Sequence, residues 1–189
     1  MKKRYPKKVT LENLKQYAFK YMEKFSSTEN QLRIILKRKI IKTSFFYKTD
    51  PQNEFIFIDD IIKNFKNIGL IDDKKLSDIR SLNLIKRGFS KKKIFSNLRA
   101  KGFETEVIEK SLTNLEKFFS DYELAAALIY AKKKKLLFIN KNLKDYETKK
   151  ILVQMSRGGF NYDIAKKILN IKNEKEFMEL EDYANNVKN

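Results

Sequence analysis

Two adjacent carboxylate pairs, Asp59-Asp60 and Asp72-Asp73, and four consecutive lysines, Lys132 to Lys135, are the residues whose types and spacing most invite chemistry. Neighbouring carboxylates can hold a divalent cation or share a proton for acid–base work. Each pair, however, stands where a helical pattern begins, and free N–H groups and the macrodipole favour acidic side chains at a helix start. That placement accounts for both pairs without a metal. The lysines could clasp a phosphate backbone, but successive helical residues lie about 100° apart, so the run spreads around the cylinder as a solvated helix end. No His and no Cys occurs, which removes the usual proton shuttle near neutrality, thiol nucleophiles, disulfides and the ligands zinc prefers. No nucleophile is paired with a base, and there is no Gly-rich phosphate loop. The expectation is a protein that is not an enzyme and needs no metal or cofactor.

Cationic surface is what remains for function. The formal net charge is +18, a balance that ordinarily points to an acidic partner, nucleic acid first. Only seven of the 42 basic residues are Arg, and Lys, Ile and Asn are abundant together, as in an A/T-rich coding sequence. We assign roughly half of the excess to that background. No apolar run approaches the roughly 20 residues a membrane span needs. The basic start MKKRYPKKVT leads into no apolar stretch of a secretory signal, so the expected location is cytoplasmic.

Five Gly and two Pro in 189 residues, with charges alternating with Leu, Ile and Phe at three- and four-residue spacing, predict an all-α chain. Thr10 can cap a first helix carrying Leu11, Leu14, Ala18, Tyr21, Met22 and Phe25. Ser26 to Thr28 stop it and cap a second, from Glu29 to about Lys39, with Leu32, Ile35 and Leu36 inward. Asp50-Pro51 marks an irregular aromatic loop over 44–57. A third helix begins near Ile58 or Asp59 and closes at Gly69. The next helix places Leu76, Ile79, Leu82 and Ile85 inward and ends at Arg87-Gly88. Ser90 caps a short helix with Ile94 and Leu98 inward, and Val107 to Phe118 form another. Helices follow from Asp121, from about Asp145 and from Asn161. Residues 173–189 hold five acidic residues against two Lys and read as a weakly docked helical tail.

A repeat underlies this order. Leu32, Leu36, Ile40, Ile41; Ile94, Leu98, Gly102, Phe103; and Ile151, Met155, Gly159, Phe160 share one spacing, with starts 62 and 57 residues apart. The period is therefore three helices. The expected units are 10–70, with the aromatic loop inserted, 71–120 and 121–172, followed by the acidic tail. Such small units bury little core alone, so they should stack into an elongated array with scope for curvature. Gly69, Gly88, Gly102 and Gly159 are expected to take left-handed turns at helix ends. Leu32, Leu36, Ile94, Leu98, Phe103, Ile151, Met155 and Phe160 are the expected repeat core. In the first unit Ile40 occupies the glycine position, so that helix must end differently.

The stretches TENQLRIILKRKI, NIGLIDDKKLSDIRSLNLIKRGFSKKKIFSNLRAKGFETEVIEKSL, DYELAAALIYAKKKK and RGGFNYDIAKKIL resemble the RecX family of regulators of the RecA recombinase, over most of residues 10 to 170. The resemblance implies three tandem three-helix repeats of helix-turn-helix character, lying in the groove of a RecA filament. It implies restraint of ATP hydrolysis, strand exchange and co-protease action, and hence a part in DNA repair and the SOS response. The expected contacts are the outward basic residues of the second helices: Arg33, Lys37 and Arg38; Lys92, Arg99 and Lys101; Lys149, Lys150 and Arg157. A monomer is expected. The surplus charge leaves weak electrostatic binding to single- or double-stranded DNA open. The competing reading is a helix-turn-helix DNA-binding protein, since IFSNLRAKGFETEVIEKSL reads as two short helices joined by a glycine turn. Against it, Glu104, Thr105, Glu106 and Glu109 make a poor surface to set against phosphates.

Overall fold

The computed structural model describes residues 5–137 and 145–185. Among these the chain is all-α, with ten α-helices, one short 3-10 helix and no strand. The helices are α1 (Leu11–Lys24), α2 (Glu29–Tyr47), α3 (Ile56–Asn67), α4 (Asp73–Ile85), α5 (Lys91–Ala100), α6 (Thr105–Leu115), α7 (Tyr122–Lys133), α8 (Asp145–Arg157), α9 (Tyr162–Leu169) and α10 (Glu174–Asn185). The chain divides into two compact units. One holds residues 1–76 with 101–103, and the other holds 77–100 with 104–189.

In the first unit α1, α2 and α3 pack on one another around Leu14, Ala18, Leu32, Leu36, Ile40, Ile61, Ile62 and Phe65. Burying each large apolar side chain contributes about 1.5–3 kcal/mol before conformational entropy is counted. Thr10 and Thr28 cap α1 and α2, their hydroxyls accepting from Asn13 N and Gln31 N. Asp73 accepts a second bond at the α2 start, from Glu29 N at 3.2 Å, while Asp72 accepts from Lys75 N and so caps α4. One member of that acidic pair thus serves its own helix and the other serves a distant one.

α2 departs from the sequence reading. It runs two turns past Lys39, to Tyr47, and the segment 44–57 is not one loop. Ser44 to Tyr47 are helical, Gln52–Glu54 form a 3-10 turn and α3 starts at Ile56. Ile40, at the glycine position, is fully buried and keeps the helix going. Thr43 and Ser44 continue that buried face, with Thr43 Oγ1 donating to Lys39 O at 2.9 Å. The end comes only at Lys48, which takes a left-handed φ of 53°.

In the second unit, α7 is buried on most sides. Leu124, Ala125, Ala126, Ala127, Leu128 and Ala131 are inaccessible, and small Ala side chains let α9 and α10 approach closely. α5 packs on α6 and α8 on α9. α4 presents Ser77, Ser81, Leu84 and Ile85 inward, whereas Ile79 is half exposed and Leu76 and Leu82 are only partly covered. The periodic apolar set was a poor guide here because small serines permit close helix contact: Ser81 Oγ lies 3.4 Å from Ser111 Oγ, and Ser111 donates to Asp78 at 2.5 Å. Phe118 likewise lies outside the core, half exposed in the turn after α6. The described part of the acidic tail, residues 173–185, is docked more closely than expected. α10 lies against α7, with Phe177 and Ala184 buried and Asp121 N donating to Ala184 O.

Candidate partner-binding surface

Three helix ends in these units close in the same way. At Gly69, Gly88 and Gly159 the glycine N–H donates three residues back and the next residue's N–H five back, as with Gly88 N to Ile85 O and Phe89 N to Leu84 O. Their φ values are 71°, 80° and 86°, and Gly102 has 83°. This is the left-handed closure that frees the chain to start the next helix within a few residues. Lys135, at φ 55°, closes α7 by the same bonds without a glycine. Leu32, Leu36, Ile94, Leu98, Phe103, Ile151, Met155 and Phe160 are all buried, so the opposite faces of α2, α5 and α8 present the basic side chains.

Those basic residues differ in their surroundings. Arg33 is the clearest departure from the sequence reading. Its Nε donates to Glu29 at 2.9 Å and its Nη1 to Asp59 at 2.5 Å, while Lys66 donates to the other Glu29 oxygen at 2.6 Å. The Asp59 bond holds the guanidinium pKa above its usual value despite burial. Burial pushes the Glu29 carboxyl up, yet the bonds from Lys66 and Arg33 outweigh it and hold the group below the usual carboxylate range. Arg33 is thus neutralised internally, because acidic groups one turn before it and on α3 reach it first. Lys37 lies over the Phe55 ring at 5.4 Å and remains exposed, as does Arg38.

In the second unit Lys92 and Arg99 stand seven residues apart on one face of α5, and both are exposed. Lys92 lines an open groove of about 750 Å³ with Phe95, Glu109, Glu116, Tyr122 and Glu123, so carboxylates offset its charge. Burial pushes the Tyr122 phenol up to about 12, with Glu123, Glu116 and Asp121 adding to the effect. Burial also raises the Glu123 carboxyl, against the pull of Lys91. On α8, Lys149, Lys150 and Arg157 are all exposed, with Lys150 and Arg157 seven apart. Lys101 is exposed too and belongs to the first unit. The lysines of the 132–135 run are all exposed, at and just past the end of α7.

Sequence reasoning missed one feature that recurs. Within the first unit the Thr28 hydroxyl, which caps α2, donates to Lys101 O at 3.0 Å, immediately before Gly102. Within the second unit the Ser90 hydroxyl, which caps α5, donates to Gly158 O at 2.8 Å, immediately before Gly159. Both hydroxyl residues are fully buried. A Cβ on Gly102 would come within 3.2 Å of Thr28 Oγ1, and one on Gly159 would collide with Ser90 Oγ. The available signal was a hydroxyl cap at the same offset before each helix, but its partner lay 73 or 68 residues away.

The chain matches no protein-family model. It is 26% identical over 166 residues to a regulatory protein RecX from Myxococcus xanthus, covering 87% of this chain and 88% of that one. It is 34% identical over 115 residues to a regulatory protein RecX from Finegoldia magna, covering 59% of this chain and 54% of the relative. Its fold matches the crystal structure of RecX from Lactobacillus salivarius with a TM-score of 0.65 at 19% identity, over 84% of this chain and 94% of the other. A second crystal structure of a regulatory protein RecX matches with a TM-score of 0.60 over 84% and 72% of the two chains, also at 19% identity. Sequence likeness to RecX proteins along nearly the full length joins the same helical fold, and the chain is similar to the RecX family in both.

Proposed function

We propose that this chain is a regulator, with no catalytic activity of its own, that binds a RecA recombinase filament and restrains its ATP hydrolysis, strand exchange and co-protease action in DNA repair and the SOS response. It would do so in the cytoplasm as a monomer. Among the described residues no helix is long and apolar enough to cross a membrane. The observation that carries the proposal is the set of exposed cations on the outward faces of the second helices. Arg38, Arg99, Lys149, Lys150 and Arg157 have no ion-pair partner among the described residues, so their charge is open to an acidic protein surface. Arg33 contributes little, being spent on Glu29 and Asp59. Glu104, Thr105, Glu106 and Glu109 are exposed at the start of α6, which sets an acidic surface where a DNA-reading helix would need a basic one.

We further propose that α1 to α3, α4 to α6 and α7 to α9 are successive copies of one three-helix repeat. The support is the recurring bond from the cap of one second helix to the carbonyl before the glycine of the next. The functional test is ATP turnover by RecA on single-stranded DNA with this protein added. Inhibition at stoichiometric ratios is expected, and its absence would count decisively against the reading. Replacing Lys149, Lys150 and Arg157 together by Glu should weaken inhibition about 10-fold or more, whereas Arg33→Ala should change it less than about 2-fold.

A further inference from the structure

The extension of α2 past Lys39 serves no part of the surface described above, and it meets the amino-terminal arm, residues 5–10. Tyr47 Oη donates to Pro6 O at 2.6 Å, Lys8 Nζ lies over the Tyr47 ring at 5.7 Å, and Tyr5 and Phe46 have ring centroids 5.9 Å apart. The arm is thereby held along the helix end. Between arm, α1 and α2 runs a groove of about 220 Å³ lined by Lys7, Lys8, Lys20 and Lys39, with the Tyr17 ring under Lys39 at 5.5 Å. Among the described residues no carboxylate lines it. No acidic residue occurs before Glu12 or between Glu29 and Asp50, so the arm and the middle and end of α2 bring only cations to the groove.

Beside the groove, rings stand open to solvent beyond the contact that Tyr5 and Phe46 make with each other. Phe45 is 87% exposed, Tyr5 69% and Phe46 48%. Lys42 stands three and four residues before Phe45 and Phe46, which puts a cation next to both rings on the helix surface. Lysines tracking a backbone beside open aromatic faces are the combination that holds unpaired strands, because every base has a face to stack and every phosphate a charge to meet. A duplex hides its base faces, so the exposed rings would gain nothing from it.

We propose that this arm, α1 and the last turns of α2 bind single-stranded nucleic acid, with phosphates on Lys7, Lys8, Lys20 and Lys39 and bases stacked on Phe45 and Phe46. The inference is independent of the filament reading, since it needs no recombinase.

The test is fluorescence polarisation of a short labelled oligothymidine with the full chain, in the absence of recombinase and across a salt series. Joint replacement of Lys8 and Lys39 by Glu should weaken binding about 10-fold or more and flatten the salt dependence by about 0.7 logarithmic units per lost phosphate contact. Joint replacement of Phe45 and Phe46 by Ala should weaken it about fivefold or more with the salt slope unchanged. The same charge reversal at Lys149 and Lys150 should cost less than about 2-fold, with helical circular dichroism confirming each fold. Equal loss from the Lys149/Lys150 control would overturn the proposal, as would indifference to the ring deletions. Phosphatidylserine vesicles that compete through the same lysines and rings would replace it with a membrane-surface site. If the lysine reversal unfolds the arm, Phe45→Ala alone carries the test, since Phe45 contributes little to packing.

Discussion

A methyl group added at position 159 would run into the Ser90 hydroxyl and would sit on a backbone with φ of 86°. The same change at Gly69, φ 71°, meets nothing within 4 Å. The two substitutions therefore separate backbone strain from collision. Gly69→Ala should cost about 1 kcal/mol, the penalty for a side chain in the left-handed region. Gly159→Ala should cost about 2–4 kcal/mol, because the Ser90 to Gly158 bond must also give way. Urea unfolding of the three proteins measures both, and equal losses would show that the collision is relieved at no cost. The glycines themselves were legible, since a glycine followed by an apolar residue after a helical pattern states a local conformational need. Their hydroxyl partners were not, because nothing local at Thr28 or Ser90 reports on a carbonyl many residues away.

α2 gathers more of the first unit's polar bonds than any sequence pattern suggested. Its first turn receives Asp73, Arg33 and Lys66, and its last turn fastens the amino-terminal arm. The Glu29 carboxyl is held below its ordinary value of 4.5, so its contribution is fully present above that pH and is lost as pH falls through the folded value. Glu29→Gln should therefore be less stable than the parent near neutrality, by about 1 kcal/mol for a partly exposed network. The difference should close as the solution is acidified below 4.5. Thermal melts of both proteins across that range check it, and a gap that widened on acidification would contradict the assignment. Helix type and order were readable from the period of Leu, Ile and Phe. The length of α2 was not, because Thr43 and Ser44 look like helix stoppers yet continue its buried face, and the α4 face was misread because its contact surface is made of serines.

At the scale of the whole molecule, a net charge of +18 is distributed over a surface on which the described ion pairs are few. Self-repulsion of this kind is screened within about 10 Å at 0.1 M salt. Adding salt should therefore raise the melting temperature, by about 2–4 °C for each kcal/mol of repulsion removed in a chain of this size. Calorimetry from low to moderate salt measures it, and a falling melting temperature would mean that attractive pairs outweigh repulsion. Charge was fully legible in the sequence, but its pairing was not: Arg33 and Arg38 look equivalent on paper, and only Arg33 has an ion pair among the described residues. The recurring bond from a capping hydroxyl to the carbonyl before a glycine has a consequence for how such a chain can change its length. The segment from α4 to α6 carries both halves, Ser90 as donor and Lys101-Gly102 as acceptor. Under the proposed repeat, a gene duplication of that segment would insert a module that satisfies its neighbours on both sides, so an added copy would need no new contact chemistry at the joins.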